Sequence, residues 1–195
     1  MKLKCMIALA TAATISTYST ELHAQDSTNK IKDNNVYVNI GVGGENLSLT
    51  GGNKTDLGFF GSLGIGYAFT QSHVRLEGEL TGQTADYKNT SYAQGSFQAI
   101  GLGLQAYYDI KTKSSITPYL GGGLAVMGTG TKYKDNNKYG GGNEIIAPDL
   151  EIGLNYSLNR NIDIGISGRV IYMPIYDGSN SATASIIKTN LIYKF

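Results

Sequence analysis

Apolar and polar residues alternate along most of this chain, from Val36 to its last residue. The clearest example runs from Leu57 to Phe69, where apolar side chains take most alternate positions and glycine, serine or alanine stands between them. A period of two predicts β-strands, because successive side chains of a strand point to opposite faces. The alternating segments are 36–43, 57–69, 74–83, 100–110, 116–127, 148–158, 162–174 and 184–195.

The connections between these segments alternate in length. The short ones are 70–72, 111–115 and 159–161, and the longer, polar ones are 50–56, 86–95, 130–145 and 176–183. Transmembrane barrels have tight periplasmic turns and long outer loops, and their tilted strands need ~9–11 residues to cross the bilayer. We therefore predict an all-β fold, an eight-stranded antiparallel up-and-down transmembrane β-barrel with both chain ends in the periplasm.

The two faces of the predicted strands differ in chemistry. One face is apolar, and the other carries glycine together with charged residues, which suits the filled interior of an eight-stranded barrel. A register slip of one residue would move Arg75 into lipid at a cost of about 2–4 kcal/mol. The predicted interior charge network comprises Arg75, Glu77, Glu79, Glu151, Asp163, Arg169 and Lys188.

Aromatic residues on the apolar face concentrate beside the short turns. Tyrosine has an apolar ring and a polar tip, so it is stable where hydrocarbon meets lipid headgroups. We predict a periplasmic girdle and a thinner outer rim formed by Phe59 and Tyr172. The girdle residues are Tyr67, Phe69, Tyr108, Tyr156, Tyr193 and Phe195.

The first residues predict a secretory signal peptide. Lys2 and Lys4 precede a short apolar stretch, and a small residue, Ala24, offers a cleavage position. We assign 1–24 to a cleaved signal peptide, 25–35 to a short periplasmic lead and 36–195 to the outer-membrane β-barrel domain. Cys5, the single cysteine, would leave with the signal, so no disulfide is expected.

Composition narrows the classes of function. The formal net charge of +1 gives no indication of a nucleic-acid partner. The 26 glycines alternate with apolar residues and are not gathered in linkers. No run of 18 apolar residues is present, so membrane crossing by a helix is not predicted.

Candidate catalytic groups have a structural explanation. Glu77 and Glu79 share a strand face with Arg75, which favours interior salt bridges over acid–base catalysis. Lipid-deacylating barrels place a His-x-Ser pair on an outward strand, whereas His73 here is followed by Val74 and Arg75. We therefore expect no catalytic residue, no cofactor and no metal ion.

Three motifs resemble a known family. Pro118–Gly123, Gly153–Leu158 and the closing Leu191–Phe195 resemble opacity-type, OmpA/OmpX-like outer-membrane β-barrel proteins of Gram-negative bacteria. In that family the last aromatic strand is read by the barrel-assembly machinery, a role that the resemblance assigns to Leu191, Tyr193 and Phe195. Members include adhesins, surface antigens and barrels of unknown role.

These observations predict a non-enzymatic protein of the bacterial outer membrane. Its expected partners are the lipid bilayer, the assembly machinery during biogenesis and a host or environmental ligand bound by the outer loops. The loop 130–145 is the most basic and aromatic, although a plain solvated loop would have the same composition. A narrow pore or small-solute channel and a secreted soluble ligand-binding barrel remain as alternatives. The candidate partner residues are Lys132, Tyr133, Lys134, Lys138 and Tyr139.

Overall fold

Eight antiparallel strands form one closed barrel, which confirms the predicted fold class. The computed structural model describes residues 35–49, 57–88, 94–133, 139–174 and 181–195. Each strand pairs with the next one in sequence, and the last strand pairs with the first. The strands are β1 (Val36–Leu49), β2 (Gly58–Phe69), β3 (Val74–Lys88), β4 (Gln94–Asp109), β5 (Ile116–Tyr133), β6 (Tyr139–Ser157), β7 (Ile162–Pro174) and β8 (Ser181–Lys194). The predicted signal peptide and most of the periplasmic lead lie outside the described residues.

The predicted loop 130–145 is wrong in extent, because most of it belongs to a long hairpin. Strands β5 and β6 have 18 and 19 residues, and their pairing continues to Lys132 and Tyr139. Tyr133 closes β5, so three of the five candidate loop residues lie in strands, while Lys134 and Lys138 lie outside the described residues. Beyond the bilayer both faces of a strand meet water, and hydrophobic alternation therefore no longer marks the strand.

The exterior of the barrel is apolar. Leu104, at 75% exposed, Leu150 and Ile152 are typical of the outward positions, and their inward neighbours Gln105 and Glu151 are buried. This is the reverse of a soluble barrel, which keeps its apolar side chains inside, and it suits a surface covered by lipid. Within the described residues no helix is long and apolar enough to cross a membrane.

The short connections are tight turns held by local hydrogen bonds. In the turn after β2, the Ser72 amide donates to the Phe69 carbonyl at 3.1 Å, and His73 has a φ of 59°. In the turn after β6, the Asn159 side-chain oxygen accepts the amides of Asn161 and Ile162 at 2.8 and 2.9 Å. We call the end of the barrel with these turns the turn end, and the opposite end the loop end.

Inward-facing glycines give space to large side chains on the neighbouring strand. Tyr37 is paired with Gly66, Tyr107 with Gly121 and Tyr119 with Gly153. A Cβ atom at Gly153 would stand 2.6 Å from Cζ of Tyr119, and one at Gly121 would overlap the Tyr107 ring. The glycine rows therefore do not line an open channel, because aromatic rings lie across them.

Candidate functional site

The turn end of the interior is closed by Arg75. Its Nε donates to both oxygens of Asp109, at 2.8 and 3.0 Å. Its Cζ lies 4.8 Å from the ring centre of Tyr107, 5.1 Å from that of Tyr119 and 5.7 Å from that of Tyr37. Rings at these distances attract the guanidinium through their negative faces. We call these five residues the lower layer.

The middle of the interior holds a chain of charges with alternating sign. Arg169 donates to Glu79 at 2.6 Å and to Asp149 at 2.9 Å. The Lys188 ammonium lies 3.6 Å from Glu79 and 3.1 Å from Glu151. Side chains of all five residues are at most 1% exposed, so each charge depends on its neighbours for solvation. We call this set the charge network.

Neutral polar groups donate to carboxylates of the interior. Glu77, which forms no ion pair within the described residues, accepts a hydrogen bond from the Asn39 amide at 3.3 Å, and Asp149 accepts one from Gln105 at 2.8 Å. The Tyr119 hydroxyl donates to Glu151 at 2.8 Å, which links the network to the lower layer. Such donors reduce the cost of burying a carboxylate.

Two of the expected pairings are different in the structure. Sequence reasoning placed Arg75 beside Glu77 and Glu79 as their salt-bridge partner, but Arg75 pairs with Asp109 on β4. The register explains this, because Arg75 lies beside Tyr107, two residues from Asp109. Asp163 also stands apart from the network and pairs with Lys194 near the turn end.

The loop end of the interior is mostly apolar, which sequence reasoning did not predict. The ring of Phe60 marks the boundary, since it lies 5.8 Å from both the Arg169 guanidinium and the Lys188 ammonium. Buried apolar side chains form a cluster above it, and the buried Gln83 amide donates to the Met173 sulfur at 3.3 Å. This upper layer comprises Leu47, Phe60, Ala85, Phe97, Ala99, Ala125, Met127, Ile145, Ala147, Ile171, Met173, Ala182, Ala184 and Ile186.

One carboxylate near the upper layer has no partner among the described residues. Glu45 is fully buried on β1, and neither of its oxygens has a hydrogen-bond partner in the part of the chain that the structure describes. It packs against the main chain at Gly58, where a Cβ atom would stand 2.7 Å from its Cγ. The described residues hold no group of three or more His, Cys, Asp or Glu side chains arranged for a metal ion.

The residues of the predicted assembly signal lie on the lipid side of β8. Leu191, Tyr193 and Phe195 all point outward and are between 44% and 59% exposed. The ring centres of Tyr193 and Phe195 are 5.1 Å apart, and the Phe195 amide donates to the Val36 carbonyl at 3.0 Å. The closing strand therefore presents an aromatic edge at the seam with β1.

The predicted girdle residues are likewise outward and exposed at the turn end. Tyr67 and Phe69 pack edge to face, with ring centres 4.9 Å apart, and Tyr108 lies edge to face with His73, with ring centres 6.3 Å apart. At the opposite end Phe59 and Tyr172 are outward as well. Aromatic rings thus frame the apolar exterior at both ends.

Several solved outer-membrane proteins have a similar fold. Neisserial surface protein A (NspA) aligns with a TM-score of 0.65 and 21% identity, covering 82% of this chain and 97% of that one. Ail of Yersinia pestis, in complex with the heparin analogue sucrose octasulfate, aligns at 0.55 and 13%, covering 81% and 97%. OprG of Pseudomonas aeruginosa aligns at 0.52 and 15%, covering 83% and 96%. No curated protein sequence matches this chain.

These likenesses concern the fold and leave the activity open. The outer membrane enzyme PagL also aligns, with a TM-score of 0.52 and 13% identity over 77% of this chain and 97% of that one. A barrel of this fold can therefore have an enzymatic activity or lack one.

The sequence of this chain matches a protein family over most of its length. Residues 7–195 match the family described as outer membrane protein beta-barrel domain. With its apolar exterior, its closed eight-stranded barrel and these structural neighbours, this chain belongs to the outer membrane protein beta-barrel domain family and is a protein of the bacterial outer membrane.

Proposed function

We propose that this protein is a non-enzymatic surface protein, whose barrel anchors outer loops that bind a host or environmental partner. The observation that carries the proposal is the closed interior, since side chains occupy it from the lower layer through the charge network to the upper layer. A barrel filled in this way serves as a rigid support and offers no passage for solutes.

The upper layer is the strongest argument against the alternative of a pore. Ions or polar solutes would have to pass buried apolar side chains such as Phe60, Leu47 and Met127. Hydrophobic constrictions of this kind exclude water and thereby block conduction. At the turn end, Arg75 and its three tyrosine rings form a second barrier.

The long hairpin of β5 and β6 is the best candidate for the binding element. These strands exceed the 12-residue β2 by 6 and 7 residues, which corresponds to roughly 20 Å of extra strand at ~3.3 Å per residue. Its sequence contains the lysines and tyrosines singled out above, and such side chains bind anionic and aromatic partners. The partner therefore meets this hairpin first.

Three measurements test the proposal. Purified barrel in planar bilayers should give no reproducible conductance steps, and steps of defined size would contradict the anchor. Cells that display the full chain should bind a target surface, and a variant with 132–139 replaced by a short Gly-Ser turn should lose binding while its heat-modifiable gel shift is unchanged. Incubation with lipopolysaccharide or phospholipid should leave the mass of either lipid unchanged, whereas a deacylated product would show an enzyme.

A further inference from the structure

An apolar groove runs along the outside of the barrel, from the turn end of β5 to the middle of β1. Its volume is about 620 Å³, which is in the range of small-molecule sites. Leu154, Ile164 and Leu191 form its walls, and the outward position makes them accessible to lipid. Gly165 and Asn190 occupy inward positions of their strands, and their main chain forms the floor of the groove. The groove therefore reaches as deep as the backbone.

Two short turns border the groove at the turn end. Tyr156 lines the groove just before the turn 158–161, and Ile116 lines it just after the turn 110–115. The two residues are paired across β5 and β6, so the turns stand close to each other above the same end of the groove. The phenol of Tyr156 is placed where a groove in hydrocarbon opens toward the headgroups.

These turns carry unpaired positive charge. Lys111, Lys113 and Arg160 are exposed, and none of them forms an ion pair with any residue that the structure describes. The carboxylates at this end are already engaged, since Asp109 binds Arg75 and Asp163 binds Lys194. Among the residues that the structure describes, the opening of the groove is therefore cationic, and the two carboxylates named here do not neutralise it.

We propose that this groove binds an anionic phospholipid of the periplasmic leaflet, with an acyl chain in the groove and the phosphate between Arg160 and Lys113. The apolar walls fit a hydrocarbon chain, and basic residues at the membrane surface favour anionic over zwitterionic headgroups. A second barrel is a poorer occupant, because a two-fold contact would bring identical cationic turns together. Lipopolysaccharide lies in the opposite leaflet, beyond reach of these turns.

The absence of tryptophan in the chain allows a direct test. Tyr156→Trp would create a single fluorophore at the groove, and lipids with brominated acyl chains quench it on contact. Brominated phosphatidylglycerol should bind about thirtyfold more tightly than brominated phosphatidylcholine, the ratio expected for two basic residues at a membrane surface. Adding Arg160→Gln and Lys113→Gln should bring this ratio close to one.

Two control variants separate the groove from general effects. Tyr172→Trp places the fluorophore at the other end of the barrel and should show no preference between the two lipids. Thr189→Phe, in the Tyr156→Trp background, fills the groove from its outward side and should weaken binding of both lipids, while the turns stay intact.

Several results would overturn the proposal. One is equal quenching of Tyr156→Trp by both lipids, and another is a preference that survives the loss of Arg160 and Lys113. The same preference at Tyr172→Trp would show general attraction to the barrel. Weak quenching by every lipid, together with a cross-linked dimer, would show that a second copy covers the groove. Retention of the heat-modifiable gel shift by each variant confirms that the barrel under test is folded.

Discussion

Replacing Arg169 with methionine removes the guanidinium that joins two buried carboxylates from different strands. Arg169 on β7 binds Glu79 on β3 at 2.6 Å and Asp149 on β6 at 2.9 Å, and its side chain is 1% exposed. Methionine keeps much of the apolar stem but none of the charge. The variant therefore leaves both carboxylates in place with fewer partners.

The expected loss of stability follows from these contacts. At an effective dielectric constant of about 20, each ion pair contributes about 6 kcal/mol of attraction, offset by several kcal/mol of desolvation for each ion. After the change Glu79 keeps Lys188 at 3.6 Å, and Asp149 keeps the Gln105 amide at 2.8 Å. Removing one partner of a buried pair costs about 3–5 kcal/mol, and we expect a free energy of unfolding lower by this amount.

Urea unfolding of the barrel in lipid vesicles measures this change, with the folded fraction read from unboiled gels and from tyrosine fluorescence. Arg160→Met is the matched control, because Arg160 is exposed on a turn and its loss should change stability by less than about 0.5 kcal/mol. Adding Asp149→Asn to Arg169→Met should recover about 0.5–3 kcal/mol. A loss below about 1 kcal/mol for Arg169→Met would refute a dry interior with paired charges.

Three further changes have defined outcomes. Gly153→Ala puts a methyl group 2.6 Å from Cζ of Tyr119, so we expect a loss of about 1–3 kcal/mol by urea unfolding. Leu104→Arg introduces a charge on the lipid face in the middle of β4 and should cost about 2–4 kcal/mol in the same assay. Phe195→Ser should reduce the amount of barrel in the outer membrane of cells, measured by fractionation, because the predicted assembly signal is lost.

Each of these changes has its own control. Gly82→Ala meets no heavy atom within 4 Å and should shift stability by less than about 1 kcal/mol, so equal costs at Gly82 and Gly153 would contradict the packing argument. Leu104→Met should be tolerated, since it conserves volume and polarity. Phe195→Ser should refold in detergent like the unchanged chain, and a failure there would indicate a structural role.

The strands and their faces could be predicted from the sequence because the barrel wall is a single sheet, so successive residues face lipid and the interior in turn. Leu102 and Gly103 face different environments, and the alternation records both of them. The upper layer could not be predicted, because inward Phe60 and outward Phe59 are both apolar there and the contrast disappears. The outer parts of β5 and β6 were missed for a different reason, since their sequence is polar and does not alternate.

Partner choice inside the barrel also could not be predicted. Arg169 and Glu79 are 90 residues apart, and their contact depends on the tilt and stagger of all the strands between them. Sequence adjacency suggested that Arg75 would pair with Glu77, but neighbours on one strand face point in parallel. The nearest suitable oxygen for Arg75 belongs to Asp109, on the next strand.

The charge network has a consequence for how the barrel enters the membrane. Its three carboxylates lie on β3 and β6 and belong to Glu79, Asp149 and Glu151. Its two cations lie on β7 and β8 and belong to Arg169 and Lys188. A growing sheet would therefore carry uncompensated negative charge on its inner wall until its final hairpin docks, and such a wall cannot face hydrocarbon. Neutralisation, closure of the seam with β1 and burial in lipid thus become one cooperative event. The last hairpin supplies the counter-charges that make the earlier strands compatible with the bilayer.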